Sequence, residues 1–504
     1  MKPVTRAFAA GVSLLALAAP VAAQTARPSL IAQSGDSYFT GAQAELQQRL
    51  ARQMNVRKAK NVILFVGDGM SIPTITAARI RQGQKNGVDG ESNRLAFETL
   101  LPNSALVRTY TNDSQVADSA PTATAMVSGV KANNGTLGVT GAARNDVCAS
   151  QKGNEVTTIF DLAETAGYAT GIVTTTRVTH ATPASTYAKT AQRDWENDSQ
   201  LTDEAKANGC KDIAAQLVDW PSGNGFEVIL GGGRANFMTK DQADPEKAGK
   251  TGARTDGRDL VAEWKAKYND AAYVTDKAGL DAVDPANTGR VMGLFEPSHM
   301  QYEADRDTAA EPSLAEMTSK AIDVLSKNDQ GFVLMVEGGR IDHAHHAGNA
   351  YRALEDTLAL DDAVKAAYGK VNLEDTLIIV TADHGHVMSI AGYPERNNPI
   401  LGLTGKTADD GKPYTTLGYM NGPGAVTGER PDLSKVDTTA PDFLQQALVP
   451  LAESETHSGD DVAAFAQGPW SQLFTGVIEQ NLIYHIMAQA TGLPEKAALN
   501  AVSN

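Results

Sequence analysis

Five runs of β-branched and apolar residues, "NVILFVGDG", "ATGIVTTTR", "FEVILGGG", "GFVLMVEGG" and "DTLIIVTADHG", constrain the fold of this chain more than any other feature. They are too continuously apolar for strands with one wet face, so they read as strands buried on both faces. Helical patterns such as "PSLAEMTSKAIDVLSK" and "AYRALEDTLALDDAVKAAYG" lie between them. This alternation predicts an α/β fold, a three-layer sandwich around a large, mostly parallel central sheet. Ligands of such sheets bind beyond the carboxyl ends of the strands. Asp68 follows "ILFVG", Glu337 follows "FVLMV", Asp383 follows "LIIVTA", and Thr182, with His180 beside it, follows "GIVTTTRV". Four strands are thus expected to deliver polar side chains to one edge.

The ends of the chain read differently. Lys2 and Arg6 precede "AFAAGVSLLALAAPVAA", which closes on Val21-Ala22-Ala23, so residues 1–23 are expected to be a signal peptide and the protein to be periplasmic or secreted. Residues 24–60 form a polar arm with a helical stretch, "AQAELQQRLARQMN". The α/β core is expected over 61–394 and again over 451–504. Between them, 395–450 is rich in Gly, Pro, Asn and Asp but carries "PYTTLGYMN", which predicts an inserted surface subdomain. The formal net charge of −16 disfavours nucleic acid and anionic membranes as partners. An acidic protein that handles anions needs local positive charge, and metal ions supply it. In an oxidising compartment the two cysteines, Cys148 and Cys210, predict a disulfide, with two buried thiols as the alternative.

The segment "VEGGRIDHAHHAGN" gathers a glutamate, an aspartate and three histidines directly after an apolar run. On a helix, Asp342 and His346 share one side, and a carboxylate oxygen with an imidazole nitrogen suits zinc. A second ligand-rich segment, "TADHGH", also follows an expected strand, and His457 stands apart near the end. His345 and His386 are read as packing or supporting residues. In "VADSAPTATAMVSG", Ser119 immediately precedes a helical pattern. It either caps that helix or, beside a metal and the positive helix end, serves as a nucleophile.

"FVGDGM", "DSAPTAT", "HATPASTYAKTAQRDW", "EGGRIDHAHHAGNA", "TADHGH" and "ETHSGDDVAAFAQGP", in that order over roughly residues 60–490, together resemble the alkaline phosphatase family, and their wording its animal-type branch. The resemblance implies two Zn2+ ions, one Mg2+ ion and hydrolysis of phosphate monoesters through a phosphoserine. Asp342, His346 and His457 would hold the first zinc, and Asp68, Asp383, His384 and Ser119 the second. Asp68, Thr182 and Glu337, all hard oxygen donors, would hold magnesium. Paired zinc ions about 4 Å apart suit in-line displacement. Arg193 would grip the phosphoryl group through its planar fork, and His180 and His343 would contact the magnesium site through water. A fourth, Ca2+-type site is implied at Glu246, Glu296, Glu311 and the Phe295 carbonyl. Tyr393 matches a residue that reaches the partner's active site in animal-type dimers, which implies a homodimer, with 395–450 resembling the crown subdomain. The chain ends "LPEKAALNAVSN" without an apolar tail, so no membrane anchor is expected.

Two other readings compete. A phosphodiesterase would use the same sheet with a different pocket, whereas a sulfatase would need an arginine that "SAPTA" lacks. A non-catalytic zinc-binding envelope protein would need the ligands but no nucleophile.

Overall fold

The computed structural model of the chain describes residue 33 and residues 35–503. The expected signal peptide, residues 1–23, lies outside the described residues. The chain divides into two compact units, one ending at Gln53 and one beginning at Met54. In the first, a helix spans Ser37–Leu50, and the Asp36 carboxylate caps it by accepting from the Tyr38 and Phe39 N–H groups.

The second unit is built on a ten-stranded sheet. Its first eight strands in chain order are β1 (Asn61–Gly67), β2 (Asn103–Arg108), β3 (Ala169–Arg177), β4 (Val228–Gly232), β5 (Ala271–Val274), β6 (Arg290–Leu294), β7 (Phe332–Gly338) and β8 (Thr376–Ala382). Val462–Gln467 and Val477–Glu479 complete it. Across the sheet the order is Val477–Glu479, β2, Val462–Gln467, β8, β1, β7, β3, β4, β6, β5. All pairings are parallel except those of Val462–Gln467, which runs antiparallel to both β2 and β8.

The expected doubly covered strands are present: every residue of β4, β7 and β8 is buried, as are all but the first of β1 and the last of β3. Such strands need cover on both faces, and two separate groups of helices supply it. Ile72–Lys85, Leu314–Leu325 and Ala350–Tyr368 pack together, while Ile159–Thr165, Leu482–Thr491 and Leu493–Ser503 form the other group. The amphipathic pattern dictates the fit. In Leu314–Leu325 the buried positions are Leu314, Met317, Thr318, Ala321, Ile322, Val324 and Leu325, the stripe expected of a helix facing a sheet.

Register then sets the site. Gly67 of β1 lies opposite both Gly338 of β7 and Ala382 of β8, so three neighbouring strands end level with one another. Thr174 of β3 lies opposite Glu337. Within and beside residues 395–450 the strands are short: Met388–Ile390, Leu417–Gly422 and Ala447–Pro450 form one sheet, and Leu403–Thr407 and Pro413–Thr415 another. A further two-residue pairing joins His457 to His386 and Ser458 to Gly385. The Cys148–Cys210 disulfide is formed.

Candidate metal centre and nucleophile

Asp68 leaves β1 one residue after the level strand ends, and Asp383 leaves β8 at the equivalent point. Gly69, between Asp68 and Met70, has φ +67°, and a Cβ there would strike the His386 ring. Glycine therefore lets the backbone turn inside a crowded site. The Gly69 and His384 N–H groups donate to Asp383 Oδ1 at 3.0 and 2.9 Å, fixing that carboxylate with its other oxygen free.

Ser119 opens the helix Ser119–Ser128, but it is not the cap. Asp118 takes that role, accepting from the Ala120 N–H at 2.7 Å and also from the Gly135 N–H and from Arg193 Nη1 at 3.1 Å. The capping alternative is thereby closed, and Ser119 Oγ is left to face the strand ends. It lies 3.1 Å from His384 Nε2 and 3.4 Å from Asp68 Oδ1. Arg193 is held on its other side by His180 Nε2, 3.0 Å from Nη2.

Asp342, His346 and His457 converge as the helix Arg340–His346 places the first two on one side. Asp342 Oδ1 is 3.3 Å from Nε2 of each imidazole, and the two Nε2 atoms are 3.0 Å apart. Backbone carbonyls settle which nitrogens carry protons: His346 Nδ1 donates to Glu455 O and His457 Nδ1 to Ala117 O, both at 2.7 Å. A carbonyl can only accept, so both Nε2 lone pairs face each other beside a carboxylate oxygen. Three acceptors aimed at one point call for a cation between them. His386 joins this group, its Nε2 2.7 Å from Asp342 Oδ1 and its Nδ1 2.5 Å from Glu455 Oε2. His345 instead packs on the His386 ring and bonds Tyr419 and Thr74.

A third group forms at Asp68, His180 and Glu337. Thr174 and Thr176 hydroxyls donate to Glu337 Oε2. Asp68 Oδ2, Asp383 Oδ2, Glu337 Oε1 and Thr182 Oγ1 are buried without any hydrogen-bond partner. Such orphaned oxygens are costly in a protein interior, and divalent cations satisfy them. The donor sets therefore fit the expected metals: mixed nitrogen and oxygen at two groups, oxygen-rich at the third.

The electrostatics agree. Burial, then the charges of Asp383, Asp342 and Glu337, push the Asp68 carboxyl well above the usual range. Burial likewise raises Asp383 and pushes Glu337 up to about 7. Burial drives His384 and His180 well down, aided by His457 and Arg193 respectively. Burial opposes charge on Asp342 too, but His346, His386 and His457 outweigh it and hold this carboxyl well below its ordinary value. On His386 the two flanking carboxylates overcome burial and raise it to about 9.

Beside the third group His343 lies against His299, ring centroids 4.2 Å apart, and both rings approach His180. His299 had no sequence signal of its own, since "LFEPSHM" is a loop and the partners are distant in the chain. The same holds for Glu455, whose neighbour His457 draws attention away from it. Of the calcium-type residues, Glu296 and Glu311 lie in contact. Burial and the neighbouring Glu296 push the Glu311 carboxyl up to about 8. Lys247 holds Glu296 at 2.6 Å, and Glu246 accepts from the Thr275 hydroxyl at 2.6 Å.

A serine at a helix start, surrounded by cation ligands at the carboxyl edge of a parallel sheet, places the protein among the metal-assisted ester hydrolases. Known proteins narrow the class. The sequence profile described as alkaline phosphatase matches residues 59–493. The tissue-nonspecific alkaline phosphatase of Felis catus is 47% identical over 461 residues, 89% of this chain and 87% of that protein. The Gallus gallus enzyme of the same description is 48% identical over 459 residues, with 89% and 88% covered. The crystal structure of Thermus thermophilus alkaline phosphatase superposes with a TM-score of 0.62 at 27% identity, covering 90% of this chain and 97% of that one. The chain belongs to the alkaline phosphatase family, on its animal-type side, and is a phosphomonoester hydrolase.

Proposed function

We propose that the chain hydrolyses phosphate monoesters through a phosphoserine at Ser119, with two zinc ions and one magnesium ion as resident cofactors. Asp342, His346 and His457 would hold one zinc, Asp68, Asp383, His384 and Ser119 the other, and Asp68, Thr182 and Glu337 the magnesium. When bound, paired cations stabilise the entering and leaving oxygens of an in-line displacement. The observation that carries this reading is Ser119 Oγ lying 3.1 Å from His384 and 3.4 Å from Asp68, among buried oxygens with no partners.

The residues have separable tasks. The helix start at Ser119 offers backbone N–H groups and a positive dipole end to the phosphoryl oxygens. Arg193, anchored by Asp118, binds two of those oxygens and sets the phosphorus in line with Ser119 Oγ. Attack forms the Oγ–P bond as the ester oxygen departs with the alcohol. Water then cleaves that bond and releases inorganic phosphate. Asp68, Asp383 and His384 are buried, so their interactions with the reacting oxygens are little screened by bulk solvent.

The charged start and apolar run of residues 1–23, together with the disulfide, support export to an oxidising compartment. Among the described residues no helix is long and apolar enough to cross a membrane. Tyr393, 94% exposed on a left-handed turn at φ 53°, supports a homodimer in which this ring reaches the partner subunit. The test of the central reading is Ser119→Ala, assayed with p-nitrophenyl phosphate and its bis-ester alongside metal analysis. Monoester turnover should collapse while the metal content stays. Undiminished turnover would remove Ser119 as nucleophile, and faster bis-ester cleavage by the unmutated enzyme would make it a diesterase.

A further inference from the structure

We infer that Glu455 is a positioning residue for the first cation group, acting through His346 and His386 together. This inference rests on the reading of Asp342, His346 and His457 as cation ligands. Glu455 is 1% exposed and touches the group with both its backbone and its side chain. Its N–H donates to the His346 carbonyl at 2.9 Å, and its own carbonyl accepts from His346 Nδ1 at 2.7 Å. That reciprocal pair fixes the rotation of the imidazole and aims Nε2 inward. The side chain does a second job. Oε1 accepts from the Val387 N–H at 2.8 Å, and Oε2 lies 2.5 Å from His386 Nδ1. Anchored at both oxygens, the carboxylate sets the plane of the His386 ring, whose Nε2 is 2.7 Å from Asp342 Oδ1.

One buried residue therefore orients two of the three ligands, His346 through its backbone and Asp342 through the His386 imidazole. It also decides what His386 is. His386 sits in the same cluster as Asp342, His346 and His457, close enough to offer a fourth nitrogen. With Nδ1 facing the Glu455 carboxylate and Nε2 facing Asp342, the ring serves as a strut between two carboxylates rather than as a fourth ligand, which would leave a bound cation with an open position. A catalytic metal needs that open position, and partners one bond removed from a metal commonly control it.

The discriminating variant is Glu455→Gln. It preserves size, the backbone pair with His346 and an acceptor for Val387, but places an amide where His386 needs an acceptor. The readouts are the cation dissociation constants measured by chelator competition and the visible absorption spectrum of the Co2+-loaded protein. Asp342→Ala is measured beside it. The expectation is that Asp342→Ala abolishes one cation site and that Glu455→Gln weakens that same site by roughly 10- to 100-fold and alters its Co2+ spectrum. His386→Asn tests the route: if Glu455 acts through His386, the double variant is no weaker in cation binding than the worse single variant. Should Asp342→Ala keep every cation, the ligand assignment itself is wrong. Should that site vanish in Asp342→Ala while Glu455→Gln binds and absorbs as the unmutated protein does, the Glu455 side chain has no positioning role and the proposal fails. Fully additive losses in the double variant would likewise overturn the relay through His386. If Glu455→Gln does not fold, His386→Asn alone decides: an unchanged cation site there refutes the proposal.

Discussion

Glu337 lends itself to a quantitative experiment, because it is wholly buried and its cation can be stripped away. In the metal-free protein, burial pushes its carboxyl from the ordinary 4.5 up to about 7, against the hydrogen bonds from Thr174 and Thr176. The folded chain then holds this proton more tightly than the unfolded chain does. The stabilisation is complete below about pH 4.5 and disappears as the pH rises through about 7. At 1.36 kcal/mol for each tenfold change in proton affinity, the difference amounts to about 3 kcal/mol. Metal-stripped wild type and Glu337→Gln would be unfolded in urea at about pH 4.5 and about pH 8, followed by circular dichroism. The wild type should lose at least about 3 kcal/mol more than the variant between those conditions, because the variant also removes the Glu337 charge that raises Asp68. Adding back divalent cation should remove the wild type's loss, because binding stabilises the folded state alone. Equal losses in the two proteins would refute the picture of a carboxyl whose ionisation depends on a resident cation.

Two further outcomes follow from the site and its support. Arg193→Ala should lower kcat/KM for a phosphomonoester by about 10- to 100-fold, the worth of charge-assisted hydrogen bonds, and should relieve product inhibition by inorganic phosphate; steady-state kinetics with added phosphate checks both. Breaking the Cys148–Cys210 link, which joins positions 62 apart, by Cys148→Ala with Cys210→Ala should cost about 2–5 kcal/mol, read as a lower Tm. The metal content after refolding should be unchanged, since neither cysteine belongs to a cation group.

The parts of the fold that depend on local composition are those the sequence announces. β1, β3, β4, β7 and β8 are continuous apolar runs because they are covered on both faces, and their polar terminal residues mark the functional edge. The strands beyond β8 are less conspicuous. β2 alternates exposed and buried residues over Ala105–Arg108, and Val462–Gln467 is written largely in alanine, a residue with little strand preference. Their pairing is decided by register with β8 and with each other, over hundreds of residues. The site divides the same way. The sequence groups the histidines and aspartates into motifs, and helix geometry pairs Asp342 with His346. It does not reveal that Asp118 rather than Ser119 caps the helix, because both residue types cap well. Nor does it reveal Glu455 or His299, whose relevance exists only through partners such as His386 and Arg177, far away in the chain.

Val462–Gln467 slots between β2 and β8, and the His457 imidazole arrives on the segment just ahead of it. During synthesis, then, β2 and β8 emerge with a gap that only a late portion of the polypeptide can close. A nascent chain stopped short of that portion has neither a continuous sheet nor its full complement of nitrogen donors. Completion of the scaffold and readiness to capture metal thus go together, and an unfinished molecule lacks the donors that would hold a cation at the final geometry.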